Sequence, residues 1–495
     1  MIMGERFSRL LKKTHLWCFT TYFAEGFPFS IIRSISVVFF RDRQVSLEGI
    51  GLTSLYGIPW ILKFLWGPQV DEYGSKRQWL LVMQGALAMM ILGAALAAGL
   101  SAGTLLVALI FFAAAVVAAT HDIAIDGYYL AALDKQGQTK FLGYRIMAYR
   151  VAMMTGSGVI VFLGTRLGWF SGFLAAGLIM ALLFLYHLLF LPEPESVRRP
   201  LAALGAGLIR SRFGRRGLPL LLLIATALLL FWPRLPAPAR KILALVNEKN
   251  LARFISVVLF LFLLILAAFR KKIQARLTQQ HDTFYARAFL SFLDQEKIGP
   301  ILLFITLVRA GEWLQTNMVG PFFVDLGIKV HISWISGVVG WGATIIGALL
   351  GGWLISRYGL KRTIWPLLLA QNLTHLVYMA LAFSLNHFVV LNTGSAHPTP
   401  LPLLTLLTVA GVHGFEQFAS GLGNAVLVTY LMRICKSEFK AAHFAIGSGL
   451  MSVTGVFAGI LSGIITAALG YGAFFGISFL ASIPGMLLVF FIPKW

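Results

Sequence analysis

Long apolar runs recur along almost the whole chain, and they restrict its fold more than any other feature. A run of about 20 apolar residues is long enough to cross the hydrocarbon core of a bilayer as an α-helix. In agreement, 58% of the 495 residues are hydrophobic and only 12% are charged, whereas soluble domains carry roughly one-quarter charged residues. The sequence therefore predicts an integral membrane protein of the all-α class.

The apolar runs form two groups, separated by a long basic segment. The first group predicts transmembrane helices near 15–38, 48–70, 78–98, 103–131, 142–165 and 168–191. The second predicts helices near 299–325, 331–355, 363–386, 402–433, 440–467 and 470–492. Two more runs, 217–232 and 251–269, predict an inserted helix pair and raise the expected total to about 14 transmembrane helices. The predicted domains are 1–195, 196–298 and 299–495.

Basic residues outnumber acidic residues by 41 to 19, and most of them fall on one side of the predicted bundle. In a soluble protein this excess would suggest a nucleic-acid partner, but cytoplasmic loops of membrane proteins are also rich in Lys and Arg. We therefore expect no nucleic acid as partner and both termini in the cytoplasm. Four basic residues are exceptions on the outer side: Arg41, Arg43, Arg166 and Lys329. The first apolar run shows no convincing cleavage site, so we expect no removable signal peptide.

The inserted region leaves two interpretations open. Its first run, 217–232, is short for a transmembrane helix, and the loop after it is basic, which the charge rule disfavours on the outer side. A re-entrant or interfacial segment is therefore the alternative to the preferred spanning hairpin. We expect 217–270 to pack outside the core and to contribute no cavity residue. The Arg-rich stretch 210–216 predicts contact with anionic membrane lipids.

A glycine-rich and basic motif follows the second predicted helix and recurs in the second half. Its first copy has the spacing Gly-x-x-x-Asp-x-x-Gly-x-Lys-Arg at Gly67, Asp71, Gly74, Lys76 and Arg77. At a constant offset of 285 residues, the second copy comprises Gly352, Gly359, Lys361 and Arg362. Glycine permits tight turns and close helix approach, and a basic pair anchors a loop at the cytoplasmic face.

This motif resembles the loop between the second and third helices of the major facilitator superfamily. That resemblance implies two six-helix halves around a midplane substrate site, with the five residues of the first copy forming a gating loop. Ser356 replaces the acid in the second copy, so the interaction expected of Asp71 is confined to the first half.

Further segments resemble one family of that superfamily more specifically. They are Lys63 to Asp71, His121 to Tyr128, Gly143 to Arg150, and Gly414 to Gln417. These segments are similar to the peptide-acetyl-coenzyme A transporter family, which includes the AmpG-type muropeptide permeases. The resemblance covers roughly 15–195 and 285–492 but not 200–280. Two departures are His121, where the family commonly has Gln, and an inserted helix pair between the halves instead of at the carboxyl end.

The resemblance implies a proton-coupled symporter in the bacterial inner membrane that imports anhydromuropeptide-like cell-wall fragments as a monomer. Acetyl-coenzyme A and siderophores are the alternative substrates, and a non-transporting membrane sensor is an alternative of another class. The sequence contains no phosphate-binding Gly-x-x-x-x-Gly-Lys-Ser/Thr loop and no His-Glu-x-x-His motif. Its two cysteines, Cys18 and Cys435, indicate no disulfide framework. We therefore expect a secondary carrier without enzymatic activity, cofactor or metal.

Acidic residues inside apolar runs are the candidates for function. They are Glu25, Asp122, Asp126, Glu312 and Glu416. An ionised acid at the bilayer centre costs at least about 2.5 kcal/mol, so such residues usually face a polar cavity. Asp122 and Asp126 share one helix face, and two close carboxylates rarely ionise together. This pair predicts a proton relay, and the alternative is a structural ion pair with Arg150.

In the second half, Glu312 lies three residues from both Arg309 and Gln315, and Glu416 lies three residues from His413. The resemblance implies a coupling or substrate role for both acids, and the alternatives are structural pairs with Arg309 or His413.

Substrate contacts are expected from Tyr22, Glu25, Arg33, His121, Arg150, Gln315 and Gln417. Arg33 would hold an anionic group through a forked hydrogen-bond pair. His121 also has the alternative of a hydrogen bond to a neighbouring helix. Lys63, in contrast, is expected to extend to the membrane interface.

Overall fold

The computed structural model describes residues 13–100, 103–193, 199–203, 247, 249–258, 261, 284–395, 397–436, 438 and 440–493. Over these ranges the chain is helical apart from short connections and one isolated β-bridge between Tyr73 and Arg199. The predicted all-α class is confirmed. Within the described ranges, nine helices are long and apolar enough to cross a membrane.

The first half contains six helical segments in the predicted order. They are α1 (Thr14–Asp42), α2 (47–72), α3 (Lys76–Ala98), α4 (Gly103–Ala132), α5 (135–167) and α6 (Trp169–Phe190). Local sequence explains several helix ends. Ser75 and Gln78 form a capping box at the start of α3, and Gly168 adopts a φ of 90° between α5 and α6, a conformation that glycine adopts without steric cost.

The second half repeats this arrangement. It comprises α7 (Ile298–Asp325), α8 (Lys329–Tyr358), α9 (Leu360–Ser384), α10 (Leu403–Ile434), α11 (440–469) and α12 (471–488). The last two form one continuous helical stretch with a break at Gly470, whose φ is 77°. The connection between α9 and α10 also contains a short helix, Asn386–Asn392.

The second helix differs from the continuous span expected over 48–70. It consists of short α-helical pieces joined by 3₁₀ turns at Thr53–Gly57 and Lys63–Leu65. Pro59 and Pro68 both lie within it, and proline has no amide N–H to donate to the preceding turn. The interruption at Thr53–Gly57 leaves backbone carbonyls available to side chains, which is important for the central cavity.

Two ends of the bundle can be distinguished by their charge. The basic face contains the loops at Lys76, Lys135, Arg357 and Arg433, and the opposite face contains the loops at 43–46, 326–328 and 393–402. One hydrophobic core includes residues from both halves, such as Phe39, Phe173, Phe322 and Phe475. Towards the basic face the core divides into one cluster around Trp17 and Tyr128 and another around Phe304 and Tyr430. The halves thus pack against each other mainly away from the basic face.

The repeated motif places a glycine with a positive φ after the second helix of each half. Gly74 has a φ of 67° and Gly359 a φ of 80°, in the left-handed region that favours glycine. Asp71 pairs with Lys76 at 2.8 Å, and Arg77 donates to the carbonyl oxygens of Leu188 and Leu191 at the end of α6. At Gly67, in contrast, an added Cβ atom would meet no heavy atom of the described residues within 4 Å, so the expected close helix approach is not found at this glycine in that part of the chain.

Part of the predicted insertion is described. The run 217–232 lies outside the described residues, whereas 249–258 forms a helix. Ala252 is fully buried in this helix and packs with Val456 and Ile460 of α11, and Ile58 of α2 lies against the same cluster. Phe254 on the same helix is 66% exposed. The described helix therefore lies on the outside of the bundle, across the contact between the two halves.

Candidate functional site

A cavity of about 420 Å³ lies between the two halves. Helices α1 and α5 line it from the first half, and α7, α8 and α10 line it from the second. Its charged lining residues are Arg33, Arg150, Arg309, Glu312 and Glu416. Phe29, Trp313 and Trp341 contribute aromatic surface. A concave site with a few polar groups among apolar ones is typical of small-molecule binding.

Three of the lining helices contain a π turn at the cavity. These turns are Ser30–Ile35 in α1, Thr155–Ile160 in α5 and Ile335–Gly340 in α8. A π turn changes the direction in which side chains leave a helix, and such turns are frequent at functional sites. Arg33, Ser157 and Ser336 lie in the three turns and line the cavity.

Arg33 and Arg150 both belong to the first-half wall of the cavity. The NH1 group of Arg33 donates to the carbonyl oxygens of Ser54 at 2.9 Å and Thr53 at 3.4 Å, in the 3₁₀ turn of α2. The Arg150 guanidinium lies 5.3 Å from the ring centroid of Trp341 in the second half. The alternative of a structural ion pair between Arg150 and the aspartates of α4 is therefore not found among the described residues.

The two aspartates pair with other cations, in a group that we call the first-half charge cluster: Tyr22, Glu25, Lys63, Asp122, Asp126 and Arg145. Asp122 accepts a hydrogen bond from the Trp60 indole at 2.6 Å and lies 3.7 Å from Lys63. Asp126 lies 2.9 Å from Arg145 and accepts a hydrogen bond from Tyr22 at 3.0 Å. Lys63 thus faces this cluster, and its expected position at the membrane interface is wrong.

Glu25 differs from its neighbours in the first-half charge cluster. Its Oε2 atom is buried without a hydrogen-bond partner, and no cation forms an ion pair with it among the described residues. The cluster contains three carboxylates and two cations. Helices α1 and α5 both start at the basic face. On α1, Tyr22 and Glu25 come before the cavity residue Arg33, and on α5, Arg145 comes before the cavity residue Arg150. The cluster therefore lies on the basic-face side of the cavity.

His121 is 1% exposed, and neither of its ring nitrogens has a hydrogen-bond partner in the part of the chain that the structure describes. The alternative of a hydrogen bond to a neighbouring helix is therefore not found. Gln315 is also buried, does not line the cavity and has no partner for its side-chain amide among those residues. The structure thus places these two predicted substrate contacts away from the cavity.

Glu312 is the centre of a hydrogen-bond network in the second half. Arg309 binds both of its oxygens, at 2.6 and 2.7 Å. Gln371 of α9 and Ser420 of α10 each donate to it at 2.7 Å. Glu312 is 5% exposed, and these contacts join three helices through one carboxylate. The pairing with Arg309 therefore matches the structural alternative, although both residues also line the cavity.

Glu416 is less completely paired. Its Oε2 atom accepts a hydrogen bond from Gln417 at 2.9 Å and lies 3.9 Å from Nδ1 of His413. His413 is itself hydrogen-bonded to Tyr378 at 2.7 Å, while Gln417 accepts from Thr344 at 2.8 Å. No Lys or Arg forms an ion pair with Glu416 among the residues with described positions.

Charged contacts join the halves at the opposite face. Arg41 pairs with Asp325 at 2.6 Å, and Lys329 pairs with Asp42 at 2.5 Å. Tyr471 donates a further hydrogen bond to Asp325 at 2.6 Å. These contacts explain two of the four basic exceptions on that side, because Arg41 and Lys329 each neutralise an acid of the other half.

Several contacts of the site could not be assigned from the sequence. Trp341 binds Ser157 of α5 through its indole N–H at 3.1 Å, and Gln371 and Ser420 complete the Glu312 network. Each contact joins helices distant in sequence. Only the polar character of Gln371 inside an apolar helix could have suggested a buried partner.

Comparisons with known proteins agree with this architecture. A family model described as Major Facilitator Superfamily matches residues 18–293. An uncharacterized protein of Haemophilus influenzae is 24% identical over 496 residues, covering 98% of this chain and 96% of the relative. The anhydromuropeptide permease of Escherichia coli is 24% identical over 480 residues, covering 94% of this chain and 77% of that protein.

Solved structures share the fold at low sequence identity. A crystal structure of a peptide transporter, POT, in complex with sulfate has a TM-score of 0.63 at 15% identity, covering 95% of this chain and 92% of that one. The nucleoside transporter NupG has a TM-score of 0.58 at 14% identity, covering 96% of this chain and 97% of that chain.

Proposed function

The chain belongs to the Major Facilitator Superfamily, and we propose that it is a proton-coupled symporter that imports anhydromuropeptide-like cell-wall fragments into the bacterial cytoplasm. It is a multi-pass membrane transporter and not an enzyme. The observation that supports a carrier most directly is the charged cavity between the halves, lined by residues of both. The similarity to the anhydromuropeptide permease over 94% of this chain supports the substrate class.

The charge distribution supports an inner-membrane orientation with the basic face and both termini in the cytoplasm. In this orientation the Arg41 and Lys329 ion pairs close the outer side of the cavity. The separate hydrophobic clusters of the two halves lie on the cytoplasmic side. The conformation is then an inward-facing one, and transport requires the halves to rock apart on the outer side.

Proton coupling is assigned to the acids Asp122, Asp126, Glu312 and Glu416. The first three each have a Lys or Arg partner, so protonation of any of them would release a cation. Among the described residues Glu416 has no such partner, and it lines the cavity. A buried ionised carboxylate without a cation is costly, so Glu416 is the member of the set best suited to carry a proton with the substrate.

Uptake by the purified full-length chain in liposomes tests the proposal. A labelled anhydromuropeptide should accumulate when the outside is acidic, and a protonophore should abolish the accumulation. Uptake that is indifferent to the proton gradient would contradict coupling. Competition with acetyl-coenzyme A and with siderophores identifies the alternative substrates. Binding without any movement across the bilayer would instead indicate a membrane sensor.

A further inference from the structure

We propose that Arg33 and Arg150 form an anion subsite on the first-half wall of the cavity, which binds a carboxylate of an anionic organic substrate. This inference rests on the proposed function, because it concerns the same cavity, and it adds which chemical group of the substrate is recognised and where.

The two arginines are the cavity cations that the protein leaves without a carboxylate. Among the residues whose positions are described, neither Arg33 nor Arg150 has an Asp or Glu oxygen within the ion-pair distance of 4.0 Å. The third cavity arginine, Arg309, is neutralised by both oxygens of Glu312. The first-half wall therefore carries two uncompensated positive charges.

Three other cations in the helices of the bundle differ from Arg33 and Arg150, because each has an acidic partner. Lys63, Arg145 and Arg41 each lie within 3.7 Å of an aspartate. Removing a charge from water costs several kcal/mol per ion unless a counter-charge and hydrogen bonds offset it. The protein offsets that cost with its own acids around the cavity but not at Arg33 and Arg150, where the cavity leaves room for an anionic ligand.

Both guanidinium groups are held in place by contacts that leave N–H donors without a partner in the part of the chain that the structure describes. The NH1 group of Arg33 is bound to the carbonyl oxygens of Thr53 and Ser54, so Nε and NH2 remain without a hydrogen-bond partner among the described residues. Gly57 permits this arrangement, because a Cβ atom there would lie 3.2 Å from Cζ of Arg33. Arg33 is thus fixed against α2 before any ligand enters.

Arg150 is positioned by an aromatic contact instead. Its guanidinium lies over Trp341, and the indole N–H of Trp341 is bound to Ser157. A cation over a Trp ring is favourable, and this contact uses no N–H donor of the arginine. Arg150 therefore contacts the second half of the protein, lines the cavity, and has no hydrogen-bond acceptor among the described residues.

The chemistry of the guanidinium group indicates which ligand fits. Its planar fork of N–H donors matches carboxylate and phosphate oxygens in bidentate geometry. Carboxylate is the group that the proposed peptide-bearing substrate supplies, whereas acetyl-coenzyme A would supply phosphate. Because Glu312 and Glu416 lie on the second-half wall, the cavity also orients the anionic end of the substrate towards the first half.

Binding to the purified full-length chain tests the subsite with three probes. They are an anhydromuropeptide with free peptide carboxylates, the methyl ester of the same compound, and acetyl-coenzyme A. The variants are Arg33→Gln, Arg150→Gln and the charge-retaining Arg33→Lys. Arg357→Gln is the matched control, because Arg357 is exposed at the basic face outside the cavity. Elution as a monodisperse protein establishes that each variant is folded.

We expect each Arg→Gln change to weaken binding of the free acid by about tenfold, since hydrogen bonds to charged groups contribute most to such contacts. Arg33→Lys should lose less affinity for the free acid than Arg33→Gln does, because lysine retains the positive charge. The methyl ester should bind the parent more weakly and be almost insensitive to the arginine variants. Arg357→Gln should leave all three affinities unchanged.

The outcomes separate the subsite from the proposed function. Equal binding of acid and ester in the parent, unaffected by either arginine variant, would overturn the anion subsite while retaining the substrate. The protein could instead bind acetyl-coenzyme A and not the anhydromuropeptide, with weaker binding of acetyl-coenzyme A in both arginine variants. That result would retain an anion subsite and overturn the proposed substrate. Absence of binding by both anionic probes would overturn the subsite.

Discussion

The guanidinium of Arg41 and the carboxylate of Asp325 join the two halves of the protein through parallel hydrogen bonds of 2.7 and 2.6 Å. Both side chains are buried, with 9% and 3% of their surface exposed. A bidentate arginine–carboxylate pair of this kind has defined geometry. It lies at the opposite face, where an alternating-access carrier must open to expose the cavity to the other side of the membrane.

Asp325→Asn should favour the conformation that is open at the opposite face, because it leaves Arg41 buried without its counter-charge. A cysteine introduced at the cavity residue Thr316 should then react about tenfold faster with an impermeant reagent added from that side. Glu193→Gln is the matched control, since Glu193 is exposed after α6. An unchanged labelling rate would show that the ion pair does not hold the outer side closed.

Glu416→Gln should abolish accumulation driven by a proton gradient but retain exchange of substrate across the membrane. The amide is similar in size to the carboxyl group and its oxygen can still accept the hydrogen bond from Gln417, but it cannot take up a proton. Accumulation and counterflow are measured in the same liposome preparation. Asp122→Asn and Asp126→Asn should also reduce accumulation if they relay the proton. Full accumulation by Glu416→Gln would transfer the proton-carrying role to the first-half charge cluster.

Glu312→Gln should destabilise the folded protein by about 3 kcal/mol, the lower end of the cost of breaking a buried ion pair, because it leaves the partly buried Arg309 beside a neutral amide. The measurement is the free energy of unfolding in detergent. Lys63→Gln provides the comparison, since Lys63 is 34% exposed and lies farther from its acid, at 3.7 Å. A smaller loss for Glu312→Gln than for Lys63→Gln would contradict the role of Glu312 as the centre of the network.

Gly74→Ala should destabilise the loop between α2 and α3 by about 1–2 kcal/mol, because a non-glycine residue is strained in the left-handed region. A Cβ atom at this position would also lie 2.7 Å from Leu201. Gly67→Ala is the matched control within the same motif, since none of the residues with described positions lies within 4 Å of its Cβ position. Thermal unfolding of the two variants gives the comparison, and equal stability would contradict the conformational explanation of the motif.

Ala252→Leu should destabilise the contact between the described insertion helix and the bundle by about 1–3 kcal/mol, the usual cost of overpacking. Ala252 is fully buried between the two halves. Val257→Leu adds bulk on the same helix at a position that is 56% exposed, and should have little effect. If both variants are equally stable, the helix does not pack closely against α2 and α11.

The repeat motif shows how far local sequence reasoning extended. Its glycine and basic positions predicted a turn after the second helix of each half, and Gly74 and Gly359 both adopt a positive φ. The apolar runs also predicted the order of the helices in the described ranges. These properties follow from residues close together in the chain, because helix length and turn geometry depend on local sequence.

The pairing of the charged residues could not be predicted in the same way. Helical spacing correctly related Arg309 to Glu312, which are three residues apart. It did not identify Lys63 and Arg145 as the partners of Asp122 and Asp126, because those contacts join different helices. Arg150 was a reasonable partner from its position, yet the structure places it over Trp341.

The sequence by itself therefore determined that the chain is an all-helical membrane protein with two related halves, since hydrophobic length and turn residues act locally. Only the tertiary structure decided which charged groups are neutralised and which face the cavity. The physical reason is that ion pairing depends on distances of a few ångströms between helices, which the rotation and packing of each helix set. Arg33 and Arg309 are both partly buried cations in apolar helices, yet within the described residues tertiary packing gives a carboxylate to Arg309 alone.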